Sequence, residues 1–373
     1  MALFRWTTRL AAAALVASCC MASAFAQTAT PPWPLEGRIL FNRWAYTSLP
    51  QDAYNRMWRM DADGTDIRAL VPPLPDMQHI EQAWSPDGKW IAYIHVEQST
   101  LAVRRNVFIQ DANGSAASRH RLTPTSSDVH GPSWSPDGQW IAYNDVTAGC
   151  LRIVRPNGSE RRTPWCRNAG DSFPVQPEVW ADNTHVLIPV LNNGSELWSV
   201  DIDTSVRTRL YHVDLVGGMA VSPDGTKVVY ATFVPFNFNM TLLDVATLAE
   251  TNLGPGHNPL WSNDSSKIAF NRTDFAFNFV DPESTHVYVM NADGTNIRRL
   301  TFSQIDQLRY TAAAWSGDNT KLLVNRVITI PTNIPDLPYG RLSAQMRVFD
   351  VVTGQSFTYP VVGTAAMNGW YDR

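Results

Sequence analysis

Charge is scarce in this chain. Asp, Glu, Lys and Arg make up 17% of its 373 residues, and the formal net charge is −4. With a pI near 6.1, the sequence lacks the basic footprint of a nucleic-acid binder. Cysteine is sparse as well, at four residues. Beyond the first 26 residues no apolar run approaches the roughly 18 residues that a membrane-spanning helix needs, which excludes such a span. Catalytic signatures are missing too. There is no Gly-x-Ser-x-Gly nucleophile elbow, no His-Glu-x-x-His zinc helix and no Gly-x-x-x-x-Gly-Lys phosphate loop. Apolar residues, in contrast, reach 44% and include 14 Trp. That supply supports a sizeable core and argues against extensive disorder.

The first 26 residues read as an export signal. Arg5 and Arg9 supply the positive end, Leu10 to Val16 begin the apolar stretch, and Ala24-Phe25-Ala26 supplies a small-x-small cleavage site. Its removal takes two arginines and no acids, which moves the formal charge from −4 to −6. The expected location is therefore the periplasm or the exterior. The alternative is a lipoprotein, because Val16-Ala17-Ser18-Cys19 has the form of a lipobox with Cys19 as the acylated residue. Only Cys150 and Cys166 remain after the signal. They flank a predicted hairpin whose turn is Asn157-Gly158, which places them opposite one another and predicts one disulfide.

Internal repeats decide the fold. Trp84-Ser85-Pro86-Asp87-Gly88-Lys89-Trp90-Ile91-Ala92-Tyr93 recurs as Trp134-Ser135-Pro136-Asp137-Gly138-Gln139-Trp140-Ile141-Ala142-Tyr143. Val221-Ser222-Pro223-Asp224-Gly225 is a third copy, and weaker ones begin at Trp180, Trp261 and Trp315. In Pro-Asp-Gly, Pro presets φ, Asp bonds its own backbone and Gly accepts positive φ, so each copy is a tight turn between strands. A second half of each unit ends in turns such as Asp61-Ala62-Asp63-Gly64 and Asn291-Ala292-Asp293-Gly294. The first of these looks like a calcium loop, but its Gly arrives too early for that spacing, and turn chemistry accounts for the aspartates. Each unit is thus a meander of four strands, a to d. Such sheets bury both faces only by stacking on copies of themselves, and radial closure achieves this.

The expected fold is an all-β propeller over residues 37–373, preceded by a signal (1–26) and an N-terminal extension (27–36). Three strands precede the first marker without a strand a, and Ala366 to Trp370 looks like an orphan strand a. The C-terminal strand near Trp370 is therefore expected to join the N-terminal blade and close the ring. The count is seven blades, with six as the alternative.

The Trp-Ser-Pro-Asp-Gly turns, together with Asn291-Ala292-Asp293-Gly294-Thr295-Asn296-Ile297-Arg298-Arg299-Leu300-Thr301, resemble the WD-repeat-like propeller units of the TolB family. TolB is the periplasmic partner of the Tol–Pal system, and similar units occur in prolyl oligopeptidase relatives. The resemblance is confined to the propeller. TolB adds an N-terminal domain to six blades, and the peptidases add an α/β-hydrolase domain; this sequence shows neither. A repeat that serves many unrelated roles implies a fold rather than an activity.

Function is therefore sought by position. The d–a segments line the central funnel and share a rim with the b–c connections. His79, His130 and His257 occupy nearly equivalent d–a positions, with Glu81, Asp128, Glu178 and Arg309 in similar segments. His and carboxylate groups that converge there would suit a divalent metal. This is the basis of the alternative reading, a metal-assisted lyase or hydrolase of polysaccharide fragments like oligogalacturonate lyase. The b–c connections carry Trp44, Tyr46 and Tyr54; Phe233, Phe236 and Phe238; Phe275, Phe277 and Phe279; and Tyr339 among several prolines. Aromatics clustered where exposure is expected point to a binding surface. The favoured expectation is a non-catalytic, monomeric exported propeller without a cofactor. Its ligand would be a protein or a cell-envelope component, met by Trp44, Tyr46, Phe236, Phe238, Phe275, Phe277, Tyr339, Arg309 and Glu178.

Overall fold

The computed structural model describes residues 31–45, 54–72, 77–98, 103–168, 179–191, 195–213, 215–234, 237–274, 284–302, 308–330, 341–362 and 364–371. Among them no helix is long and apolar enough to cross a membrane. The strands begin with β1 (Arg38–Ala45), β2 (Tyr54–Asp61) and β3 (Arg68–Ala69). Next come β4 (Met77–Trp84), β5 (Trp90–Gln98), β6 (Val103–Asp111) and β7 (His120–Arg121). Then follow β8 (Val129–Trp134), β9 (Ile141–Asp145), β10 (Cys150–Val154) and β11 (Arg161–Cys166). The middle of the chain forms β12 (Val179–Trp180), β13 (His185–Leu191), β14 (Ser195–Asp201) and β15 (Arg207–Val213). After these come β16 (Leu215–Val221), β17 (Lys227–Val234), β18 (Asn237–Asp244) and β19 (Glu250–Pro255). The last third holds β20 (His257–Trp261), β21 (Lys267–Asp274), β22 (Ser284–Asn291) and β23 (Arg298–Arg299). It ends with β24 (Leu308–Trp315), β25 (Lys321–Ile330), β26 (Arg341–Asp350), β27 (Ser356–Val362) and β28 (Thr364–Tyr371).

Turn chemistry makes these strands. Ser85 Oγ donates to Asp87 Oδ1 at 2.6 Å and accepts the Trp90 amide at 2.9 Å. Asp87 Oδ1 also accepts the Lys89 amide at 3.1 Å. The Ser–Asp bond recurs at Ser135–Asp137, Ser222–Asp224, Ser262–Asp264 and Ser316–Asp318. All five serines are buried, so the carboxylate satisfies hydroxyls that would otherwise be costly to bury. At Asp87, Asp224, Asp264 and Asp318 burial pushes the carboxyl up, but the serine and backbone donors outweigh it and hold the group low.

The strands assemble into a propeller-like ring. Four blades follow chain order: β4–β7, β8–β11, β12–β15 and β16–β19. A fifth has the order β28-β1-β2-β3, with Ile39 opposite Trp370. The expected count of seven, and the alternative of six, are both corrected. Five four-stranded blades stand alone, and β20 to β27 form one eight-stranded sheet. Its two meanders fuse because β23 covers only Tyr288 and Val289 of β22, and Arg309 of β24 pairs in parallel with Thr285. The C-terminal strand does join the N-terminal blade as expected, but the expected closure is corrected, because that pairing does not close the ring by hydrogen bonds. β28 pairs within its own blade, and among the described residues no hydrogen-bonded sheet runs around the ring. The blades meet instead mainly through side chains, with first strands β28, β4, β8, β12, β16, β20 and β24 as successive neighbours and one backbone bridge, Arg105 with Asp128, between the β4–β7 and β8–β11 blades.

The core accordingly lies between sheets. Ile39, Phe41 and Trp370 pack against Ala314, Leu323, Val348 and Tyr359 of the neighbouring sheet, and Ile94 and Ile109 pack against Val129 and Ile141. Each such side chain contributes roughly 1.5–3 kcal/mol. The marker tryptophans bridge the seams, because a buried indole N–H needs an acceptor. Trp84 donates to Gly369 O (3.0 Å), Trp134 to Ala83 O (3.2 Å) and Trp180 to Ser133 O (3.2 Å). Trp261 donates to Ala220 O (3.1 Å) and Trp315 to Leu260 O (3.2 Å). Trp370 departs from the pattern and donates to Glu36 O (2.8 Å), just ahead of β1.

Candidate functional site on the loop face

The first strands carry the predicted funnel residues; β24 shifts register between Ala312 and Ala314 and β28 opposite Ile39 and Phe41, and four others bulge in a common way. Register shifts fall between Ile80 and Ala83, His130 and Ser133, Leu215 and Met219, and His257 and Leu260. Each bulge contains a residue with positive φ, three positions before the end of its strand: Glu81 (54°), Gly131 (63°), Gly218 (103°) and Asn258 (49°). Gly and Asn tolerate this conformation; Glu does not.

Glu81 is held there by the next blade. Its Oε1 lies 3.1 Å from His130 Nδ1, and its Oε2 accepts the Gly131 amide at 2.7 Å. The carboxylate thereby fixes the imidazole with its proton on Nδ1. Nearby, Arg105 donates to Asp128 Oδ1 at 2.9 Å.

The three predicted histidines have separate surroundings. His79 is fully buried on β4, with Nε2 3.2 Å from Nδ1 of His95 on β5. Its carbonyl accepts Asn42 Nδ2 (3.0 Å) and Gln82 Nε2 (2.9 Å). Burial, reinforced by His95, pushes His79 down to about 3. Burial also lowers His95, whose Nε2 is 3.7 Å from Glu97 Oε1. His257 on β20 lies 3.3 Å from Thr273 Oγ1 and is lowered by burial as well. Among the described residues no three His, Cys, Asp or Glu side chains gather to hold a metal ion.

Of the predicted aromatic rim, the structure places one cluster. Phe238 stands at the start of β18, edge-on to Phe233 with ring centroids 5.5 Å apart, and 5.1 Å from the His257 ring. Phe233 is 58% exposed. Phe302, absent from the predicted set, is 71% exposed at the start of a d–a segment, beneath the Arg299 guanidinium at 5.0 Å. Trp44 pairs with Asn55 and Tyr54 with Ala45 at the rim end of β1 and β2. Arg309 is exposed on β24, where it pairs with Val327. Tyr46, Glu178, Phe236, Phe275, Phe277, Phe279 and Tyr339 lie outside the described residues. Cys150 and Cys166 form the expected disulfide, across β10 and β11, with Cα atoms 4.0 Å apart.

Sequence reasoning missed a set of buried asparagines. Asn42 Nδ2 crosses to His79 O, and Asn271 Nδ2 crosses to Tyr310 O at 2.5 Å, the carbonyl five residues before the marker Trp in each case. Asn144 and Asn325 are buried at the same place in their strands. The signal was present as Phe41-Asn42, Tyr143-Asn144, Phe270-Asn271 and Val324-Asn325, each closing an apolar triplet.

These features define a β-propeller, and the comparisons agree on that class. No protein-family model matches the chain, and no curated protein matches it in sequence. Solved structures do. Oligogalacturonate lyase in complex with manganese shares 15% identity over 87% of this chain and 85% of that one, with a TM-score of 0.57. A puromycin-hydrolysing peptidase of Mycobacterium tuberculosis shares 15% identity over 82% of this chain, which spans 53% of the peptidase, with a TM-score of 0.55. TolB from Acinetobacter baumannii shares 14% identity over 89% of this chain and 82% of that one, with a TM-score of 0.49. Likeness at this level establishes the fold alone.

Proposed function

We propose that this chain is a non-catalytic propeller, exported from the cytoplasm, that binds a protein or cell-envelope ligand on the face formed by its d–a and b–c connections. The observation that carries this reading is Phe233. Its ring stands 58% exposed at that rim, propped by Phe238 against His257. A large apolar ring held rigidly in solvent is characteristic of an interaction surface, and loops on a rigid scaffold are where binding usually resides. The Cys150–Cys166 disulfide suits an oxidising compartment outside the cytoplasm.

The test is retention of material from envelope extract by the immobilised mature chain, compared with a Phe233→Ala, Phe302→Ala double variant. Both rings are exposed, so stability should change by no more than about 0.5 kcal/mol per site. The expected result is loss of the retained species at unchanged melting temperature. Identical retention by the two proteins would remove this face as the binding surface. Elemental analysis, run beside it, separates the readings: a stoichiometric metal whose chelation lowers melting would favour the enzyme.

A further inference from the structure

We infer a second binding site on the opposite rim, formed by the a–b and c–d turns, for an arginine side chain of a partner polypeptide. A cavity of about 360 Å³ opens there between the β4–β7 and β8–β11 blades. Its walls include Trp90, Trp134, Pro86 and Pro156, and its mouth carries the carboxylates of Asp87 and Asp137.

The repeat itself supplies the argument for the ligand. Trp90 and Trp140 each stand six residues after their marker Trp, at the same place in successive blades. Trp140 is buried beneath two guanidinium groups of its own blade, with Arg155 Cζ 3.8 Å and Arg162 Cζ 4.6 Å from the ring centroid. Trp90 has no such cover. Across the strand pair it faces Asp111 rather than an arginine, and among the described residues no cation lies over its ring. It is half-buried and lines the open cavity. The first blade thus presents the aromatic face that the second blade fills with arginine.

The charges around the ring have the sign a guanidinium needs. Asp87 Oδ1 is engaged by Ser85 and the Lys89 amide, and Asp137 Oδ1 by Ser135 and the Gln139 amide. Their Oδ2 atoms remain for a ligand, Asp87 Oδ2 meeting only the largely exposed Lys89 ammonium at 3.4 Å. A guanidinium stacks flat on an indole while its edge donates to carboxylates, a pair of demands that an ammonium meets less well. The negative formal charge of the whole chain, −4, favours the approach of a basic segment.

The probe is a blocked Gly-Arg-Gly tripeptide, titrated while the Trp90 indole N–H resonance is followed by NMR and identified by its loss in Trp90→Phe. The expected result is a saturable shift. Affinity should fall at least about tenfold, or 1.4 kcal/mol, for the neutral citrulline tripeptide and in Asp137→Asn, whose Oδ1 can still accept from Ser135 and the Gln139 amide and so keeps the turn. Three results would overturn the proposal: no saturable shift, equal affinity for the arginine and citrulline peptides, or tighter saturation of the same resonance by a neutral oligosaccharide.

Discussion

Two demands meet at Glu81. Its positive φ costs a side chain other than Gly or Asn roughly 1–2 kcal/mol, while its carboxylate secures the His130 ring and the Gly131 amide across a blade seam. Glu81→Gly removes the strain and the bonds together, so its net cost should be under about 1 kcal/mol. Glu81→Ala removes the bonds and keeps the strain, and should be less stable than the Gly variant by about 1 kcal/mol. Urea unfolding of the two variants measures that difference; equal stabilities would show that the backbone is unstrained. His79 poses a different problem, since burial holds it near 3 in the folded chain against 6.5 when exposed. Above pH 6.5 both states are neutral and the group contributes nothing. As the pH falls from 6.5 to 3 the unfolded chain takes up a proton that the folded one refuses. Stability then drops by up to ~1.4 kcal/mol per pH unit. His95 and His257, also lowered by burial, act in the same direction. The depressed turn aspartates join only as the pH falls below 3.8, which leaves pH 6.5 to 4.5 to the histidines. His79→Leu should flatten the urea midpoint against pH in that window, whatever its effect on absolute stability. An unchanged slope would show that His79 titrates normally.

Strand β11 is held to its blade by more than its ladder. The disulfide joins residues 16 apart in sequence, and a crosslink of that span contributes about 2–3 kcal/mol. Cys150→Ser with Cys166→Ser should lower stability by that amount and speed amide exchange in β11 before that in β9. Exchange unaltered in β11 would show the hairpin to be self-sufficient. The same blade shows what can be read from sequence. Asn157-Gly158 centres the hairpin, so the Cys150–Cys166 pairing followed from turn chemistry that acts over a few residues. Local chemistry likewise exposed the Pro-Asp-Gly turns and the strands beside them. The fusion of β22 with β24 was not legible, because it rests on one backbone pair, Thr285 with Arg309, left open by a two-residue outer strand. The strain at Glu81 was hidden for a related reason: the bulge is a property of the strand pair, and Glu carries no signal for positive φ. The roles of Asn42 and Asn271 were half legible, as a recurring residue whose acceptor belongs to another blade.

Around the whole molecule the indole bonds form an incomplete series. The seams at Trp84, Trp134, Trp180, Trp261 and Trp315 each carry one. At the seam between the β12–β15 and β16–β19 blades the marker position holds Val221, whose side chain has no N–H to donate. Among the described residues the buried cluster there is Leu187, Leu197, Val228, Tyr230 and Leu243, flanked by partly buried Ala181, Leu210, Met219, Val221 and Val245; the seam of Trp261 buries the indole itself with Met240, Ile268 and Phe270. A missing buried hydrogen bond is worth about 1 kcal/mol. Partial opening follows the weakest interface, so the ring should part first beside Val221. Native-state hydrogen exchange should find the amides of β16 less protected than their counterparts in β8 and β20. Trp261→Phe removes one indole bond while keeping the ring buried, and should lower the protection of β20 toward that of β16. Equal protection of β8, β16 and β20 in the wild type would mean that the seams share the load and that the indole bonds do not grade them.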